Sequence, residues 1–194
     1  MRSRTQSRWM SALLLSIALA PTLARADGQR DPELRGVLAE VISPTQCFDD
    51  KYDRALWFAY MGPRLARYVK DADEREQILN HVHCESRRVN LPPELVLALM
   101  DVESRFDRYA VSSAGAVGLM QVMPFWPSQL GMTNDQLIRV ADNVRMGTTI
   151  LSYYVRKERG NYARALQRYN GSLGRSGYSD MVIDRLASRW RYVQ

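Results

Sequence analysis

The chain has 194 residues, 46% of them hydrophobic and 25% charged, with 27 Lys and Arg against 21 Asp and Glu. That length suits one compact domain with a real core, and the composition excludes a disordered or collagen-like chain. Arg2, Arg4, Arg8 and Arg25 carry four of the six excess positive charges within residues 1–26, where no acidic residue stands. Without that segment the balance is +2, so bulk basicity no longer argues for nucleic acid as a partner.

The same segment reads as a leader. Arg2, Arg4 and Arg8 precede an apolar run over residues 10–20, and Ala24-Arg25-Ala26 has the small-x-small form of a signal peptidase site. The run is shorter than the ~20 residues needed to cross a bilayer. The expectation is a signal peptide over 1–26, with no membrane span after its removal and a mature chain from about Asp27. Cys47 and Cys84, the two cysteines, permit a disulfide in an exported chain; two free buried thiols are the alternative.

Leu34, Val37, Leu38, Val41 and Ile42 predict a short helix stopped by Ser43-Pro44. Tyr52, Leu56, Trp57, Tyr60 and Met61, then Leu65, Tyr68 and Val69, have helical spacing, with Gly62-Pro63 as a break between two helices. Residues 73–90 predict a charged amphipathic helix with Ile78, Leu79 and Val82 inside. His81, His83, Cys84 and Glu85 have ligating chemistry. On a helix, however, only His81 with Cys84 or Glu85 shares a face, too few for zinc, and no metal or cofactor is expected.

Residues 95–124, LVLALMDVESRFDRYAVSSAGAVGLMQVMP, look like a site rather than packing. Pro92 and Pro93 suit a first helical turn, and Leu95, Val96, Leu99, Val102 and Phe106 form an apolar stripe. Glu103 stands beside that stripe near the helix C-terminus, where lost hydration and negative partial charge disfavour ionisation, as a general acid requires. Ser112, Ser113, Ala114, Gly115, Ala116 and Gly118 form a run of small residues that lets a ligand approach the backbone. Gln121 is the polar side chain within the apolar run that ends at Pro124, and its amide can both donate to and accept from a sugar.

A long helix is predicted over 141–159, with Gly147 inside it explained by close approach of the Glu103 helix. A further helix over 162–169 delivers Tyr169-Asn170-Gly171, where the Tyr169 hydroxyl could orient the Glu103 carboxyl. A last helix over 180–190 turns Met181, Ile183 and Leu186 inward. Phe125, Trp126, Tyr109 and Tyr178 are aromatic residues that would suit sugar faces.

The string Glu103-Ser104-x-Phe106, then Ala110, Ser112, Gly115-Ala116-x-Gly118-Leu119-Met120-Gln121-x-Met123-Pro124, resembles the signature of the soluble (Slt-type) lytic transglycosylases. It continues at Asn143, Gly147 and Leu151 and at Tyr169-Asn170-Gly171, covering roughly residues 88–190. The resemblance implies a mainly α fold with a goose-type lysozyme-like catalytic domain over 88–194, behind an N-terminal helical extension over 27–87. It implies Glu103 as catalytic acid and base, with Ser104, Ser112, Gln121 and Met123 lining a glycan cleft that Tyr169 and Asn170 close. It further implies peptidoglycan strands as the partner and the periplasm as the location. Phe125-Trp126-Pro127 and Arg168 depart from the family pattern, at positions that would touch sugars or stem peptides.

A glycosidase that uses water needs a second carboxylate. Asp107, four residues after Glu103, is the nearby candidate and would make the chain a muramidase. A glycan-binding protein without turnover is the third reading.

Overall fold

The computed structural model describes residues 33, 47, 48, 50–129 and 133–192. The leader expected over 1–26 and the helix expected over 34–42 lie outside these, apart from Glu33 before that helix.

Helix α1 spans Lys51–Leu65 and is capped by Asp50, whose carboxylate accepts the backbone N–H groups of Tyr52 and Asp53. It buries Trp57, Met61 and Leu65, whereas Tyr52 and Leu56 are 67% and 61% exposed. The face turned inward is thus the neighbour of the Tyr52–Leu56 stripe, because it carries the larger ring and gives the Trp57 indole N–H a partner, the Leu79 carbonyl at 3.0 Å. Gly62-Pro63 does not divide the helix. Pro63 falls in the last turn, where the missing N–H costs one hydrogen bond beside carbonyls that the helix end leaves open anyway.

Helix α2, Ala72–Arg88, starts on Asp71 and buries Ile78, Leu79 and Val82. Its last two turns are heavily tied. Cys84 is disulfide-bonded to Cys47, His83 sits 2.6 Å from the Cys47 carbonyl, and buried Glu85 pairs with Arg88 and Arg145. These contacts occupy His83, Cys84 and Glu85.

Helix α3, Pro93–Glu103, is the element the others enclose. Residues Leu95 to Asp101 are all buried, so it is shielded on every side rather than amphipathic. Helix α4 is Phe125–Gln129, a 3-10 turn follows at Asn134–Ile138, and α5 is Val140–Lys157. Then come α6, Tyr162–Tyr169, α7, Gly177–Arg185, and a π-helical turn, Leu186–Trp190. Helix α3 packs against α2, α7 and the π turn, while α5 packs against α2 and α6, and α6 against α7. Among the described residues there is no strand, only isolated bridges between Val111 and Val117 and between Val117 and Val122. The chain is mainly α.

Two expectations about packing need correction. In α7, Ser179 and Val182 are the buried residues, and Met181 and Ile183 are 52% and 40% exposed. The rotation is set by Trp190, which is 1% exposed and donates its indole N–H to Asp101 at 3.0 Å. Buried Asp101 also accepts from Tyr68 at 3.2 Å and Arg189 at 3.3 Å, so the carboxylate is neutralised and the C-terminal turn is locked to α3. Gly147 meets Met120, not the Glu103 helix. A Cβ at Gly147 would lie 2.5 Å from the Met120 sulfur and 2.7 Å from its Cβ.

Candidate active site

Glu103 is the last residue of α3, and the chain reverses sharply after it: Arg105 and Phe106 have φ of 52° and 66°. Side chains rarely adopt that conformation, and it holds only where neighbours enforce it. Here Ser104 does so. Its hydroxyl accepts the Phe106 N–H at 3.1 Å and donates to the Leu119 carbonyl at 2.8 Å, joining the helix end to the loop that faces it.

That loop, 110–123, is pinned backbone group by backbone group. Asn143, 1% exposed on α5, donates to the carbonyls of Val117 and Leu137, each at 2.9 Å, and accepts the Met120 N–H at 2.8 Å. Gly118 has a φ of 80°, and a Cβ there would lie 2.4 Å from the Asn143 amide nitrogen, so glycine is required for this clamp to close. The Tyr169 hydroxyl donates to the Met120 carbonyl at 2.7 Å. Gln121, with a φ of 48°, spends its amide NH2 on the carbonyls of Ala110 and Gly118, at 3.1 and 3.0 Å.

Between this loop, α5 and α6 lies a cleft of about 290 Å³. Glu103, Ser112, Gln121, Met123, Tyr169 and Asn170 line it, together with Ala114, Ala116, Phe125, Trp126, Ile150, Tyr154 and Arg168. Ser104 does not line it, a departure from the expected set, because its hydroxyl is used up between two backbone groups. Gln121 reaches the cleft with its carbonyl oxygen still available, so it can accept but not donate. The Ser112 hydroxyl accepts the Ala116 N–H at 3.0 Å and retains its own proton for a ligand. Tyr109 is 64% exposed and is not in the cleft wall.

Glu103 is the one carboxylate among the described residues that line the cleft. Asp107 is exposed, and its carboxylate accepts the Tyr109 N–H at 2.8 Å in a local turn. The hydroxyl that donates to Glu103 belongs to Tyr178 of α7, not to Tyr169. Burial pushes the Glu103 carboxyl up to about 7, and the Tyr178 hydrogen bond, which favours the ionised form, opposes part of that rise. Burial, with the Glu103 charge close by, holds the hydroxyls of Tyr169 and Tyr178 well above the ordinary phenol range, so both remain donors. A carboxyl near pH 7 in a cleft with one firm donor can give up a proton and take one back.

Ile150 and Tyr154 are lining residues that sequence reasoning missed; they stand three and seven residues after Gly147 on α5, and that helical spacing was their signal. Arg168 is the one basic residue in the wall, with its Nε paired to Glu158, which Arg164 also binds.

Residues 82–179 match the protein family described as the transglycosylase SLT domain. The "Membrane-bound lytic murein transglycosylase C" of Actinobacillus pleuropneumoniae serotype 5b is 50% identical over 48 residues, which are 25% of this chain and 13% of that protein. The "Transglycosylase" of Enterobacteria phage PRD1 is 29% identical over 104 residues, 45% of this chain and 38% of the phage protein. An inactive mutant of the lytic transglycosylase Slt from Pseudomonas aeruginosa superposes with a TM-score of 0.45 at 26% identity, covering 70% of this chain and 25% of that one. This chain therefore spans a minor part of the length of each of these relatives.

Proposed function

The chain belongs to the transglycosylase SLT domain family, and from that premise we propose that it is a peptidoglycan lytic transglycosylase with Glu103 as its single acid and base. The observation that carries this reading is the lone cleft carboxylate, poised at about 7 and oriented by Tyr178.

The reaction needs no second acid. Protonated Glu103 gives its proton to the oxygen that bridges N-acetylmuramic acid and N-acetylglucosamine, and the bond from that oxygen to C1 of the muramic sugar breaks. The substrate's own N-acetyl oxygen stabilises the cation at C1. Glu103, now a carboxylate, takes the proton of the C6 hydroxyl as O6 bonds to C1, which closes a 1,6-anhydro ring. One proton leaves and one returns, and no water is consumed. A group that alternates in this way works best with its pKa close to the working pH.

Ser112, Gln121, Met123 and Asn170 would contact the sugars, with Phe125 and Trp126 as ring faces beside them. Tyr169 and Ser104 would act through the loop they hold. The proposed division is a leader over 1–26, a helical extension over 27–87 and the catalytic unit over 88–194. The Cys47–Cys84 disulfide ties the extension internally and suits an oxidising compartment, in keeping with a periplasmic location.

Mass spectrometry of fragments released from purified peptidoglycan tests the reading. Fragments lacking one water, released by the unsubstituted chain and not by Glu103→Gln, are expected. Fragments with free reducing ends would instead favour the muramidase, and turnover by Glu103→Gln would remove Glu103 from the chemistry.

A further inference from the structure

A second groove, of about 390 Å³, lies between α1 and the chain that follows α7 and shares no lining residue with the cleft. Arg64, Arg67, Arg189 and Arg191 converge on it, and no acidic residue lines it. Two of the four are held in place. The Arg64 guanidinium lies 3.8 Å over the Tyr60 ring and donates to the Tyr60 carbonyl at 2.9 Å, and Arg189 donates to the Tyr68 hydroxyl at 2.6 Å. Among the described residues, no carboxylate pairs with Arg64, Arg67 or Arg191, while Asp101 is shared between Arg189 and Arg185. Four guanidiniums around one cavity repel one another, an arrangement that makes sense when a ligand supplies the missing negative charge.

The wall itself is unusual. The π-helical turn Leu186–Trp190 contributes Arg189 and Trp190 to it, and such turns recur at functional sites because their wider hydrogen-bond ladder redirects side chains. Tyr60, 36% exposed, adds ring surface beside the guanidiniums. The combination of planar donors, rings and a concave floor suits a narrow chain with carboxylates.

We infer that this groove binds the carboxylate-bearing peptide side chains of a second peptidoglycan strand and holds the enzyme on its polymer while the Glu103 cleft works. The choice of strand rests on the function proposed above; the cationic groove itself does not.

The test uses Glu103→Gln, which binds without cleaving, with and without Arg67→Glu and Arg191→Glu, both at exposed positions. Each is sedimented with insoluble peptidoglycan, either untreated or with its peptide carboxylates converted to neutral amides. Loss of two exposed ion pairs predicts an affinity for intact polymer at least about fivefold weaker in the charge-reversed variant. Amidation should weaken the parent similarly and leave the charge-reversed variant unaffected. In the Glu103 background, charge reversal should leave cleavage of short soluble glycan unchanged. Equal sedimentation of both variants overturns the inference, as does a charge-reversal effect seen with phosphatidylglycerol vesicles and not with peptidoglycan. Failure of the Glu103 chain to cleave soluble glycan would instead sink the proposed function.

Discussion

The hydroxyl of Tyr178 on α7 donates to Oε1 of Glu103 at the end of α3, bringing together two residues 75 positions apart at the one acid of the cleft. The contact has two opposing consequences. Burial raises the carboxyl towards neutrality, and the tyrosine keeps the rise from going further.

The first prediction is a pH profile. Protonated Glu103 is the proton donor, so kcat/KM should fall tenfold per pH unit well above an apparent pKa of about 7. Tyr178→Phe removes the bond that favours the ionised form. Its falling limb should therefore lie at higher pH than that of the parent, and an unmoved limb would show that the hydroxyl does not touch the acid.

Glu103 should also cost the protein stability in a defined window. Its folded pKa of about 7 lies above the ordinary 4.5, so the folded state holds a proton that the unfolded state has released between those values. Stability is fully present below pH 4.5 and declines as pH rises to about 7, by at most about 3 kcal/mol. Glu103→Gln should flatten that decline and melt higher than the parent at pH 8. Thermal melts at pH 5 and 8 provide the comparison.

Asn143→Ala removes two hydrogen bonds that hold the loop and one to the 3-10 turn, and leaves the Leu137 carbonyl and the Met120 N–H unpaired, while the Val117 carbonyl keeps the Val122 N–H. The expected loss is about 3 kcal/mol, read by urea unfolding. Activity should fall as well, since the loop forms one wall of the cleft.

Gly147→Ala sets two effects against each other. Alanine gains up to about 1 kcal/mol in a helix interior. Overlap with the Met120 Cβ at 2.7 Å, which cannot swing away, costs about 1–3 kcal/mol. The substitution should be destabilising in the parent and still destabilising, though by less, in a Met120→Ala background, which loses the sulfur and terminal methyl but keeps the Cβ at 2.7 Å; a double-mutant cycle reads the difference.

Reduction of the Cys47–Cys84 disulfide opens a link of sequence separation 37. Loss of that constraint on the unfolded chain predicts about 4 kcal/mol of destabilisation. The melting temperature should drop in reductant, and Cys47→Ser with Cys84→Ser should reproduce the drop without reductant.

Local pattern alone determined much of this protein. Helical periodicity marks α2, α5 and α6 because one face of each must be apolar, α3 reads as an apolar run because it is buried on every side, and Glu103 stands out because an acid at the end of such a run is rare. The small-residue run points to the loop because glycine is required at a φ of 80°. Tertiary structure decided the rest. Tyr52 and Trp57 have equal claims to the inner face of α1 until the Leu79 carbonyl accepts the indole N–H. Tyr169 and Tyr178 are interchangeable in a sequence; the packing of α7 on α3 brings Tyr178 to Glu103, and the packing of α6 on the loop gives Tyr169 the Met120 carbonyl. Ser104 carries the motif's polar group but spends it on backbone, a commitment set by where Leu119 lies in space. Period and composition are properties of neighbours along the chain, whereas a hydrogen-bond partner is chosen among residues that meet only once the helices have packed.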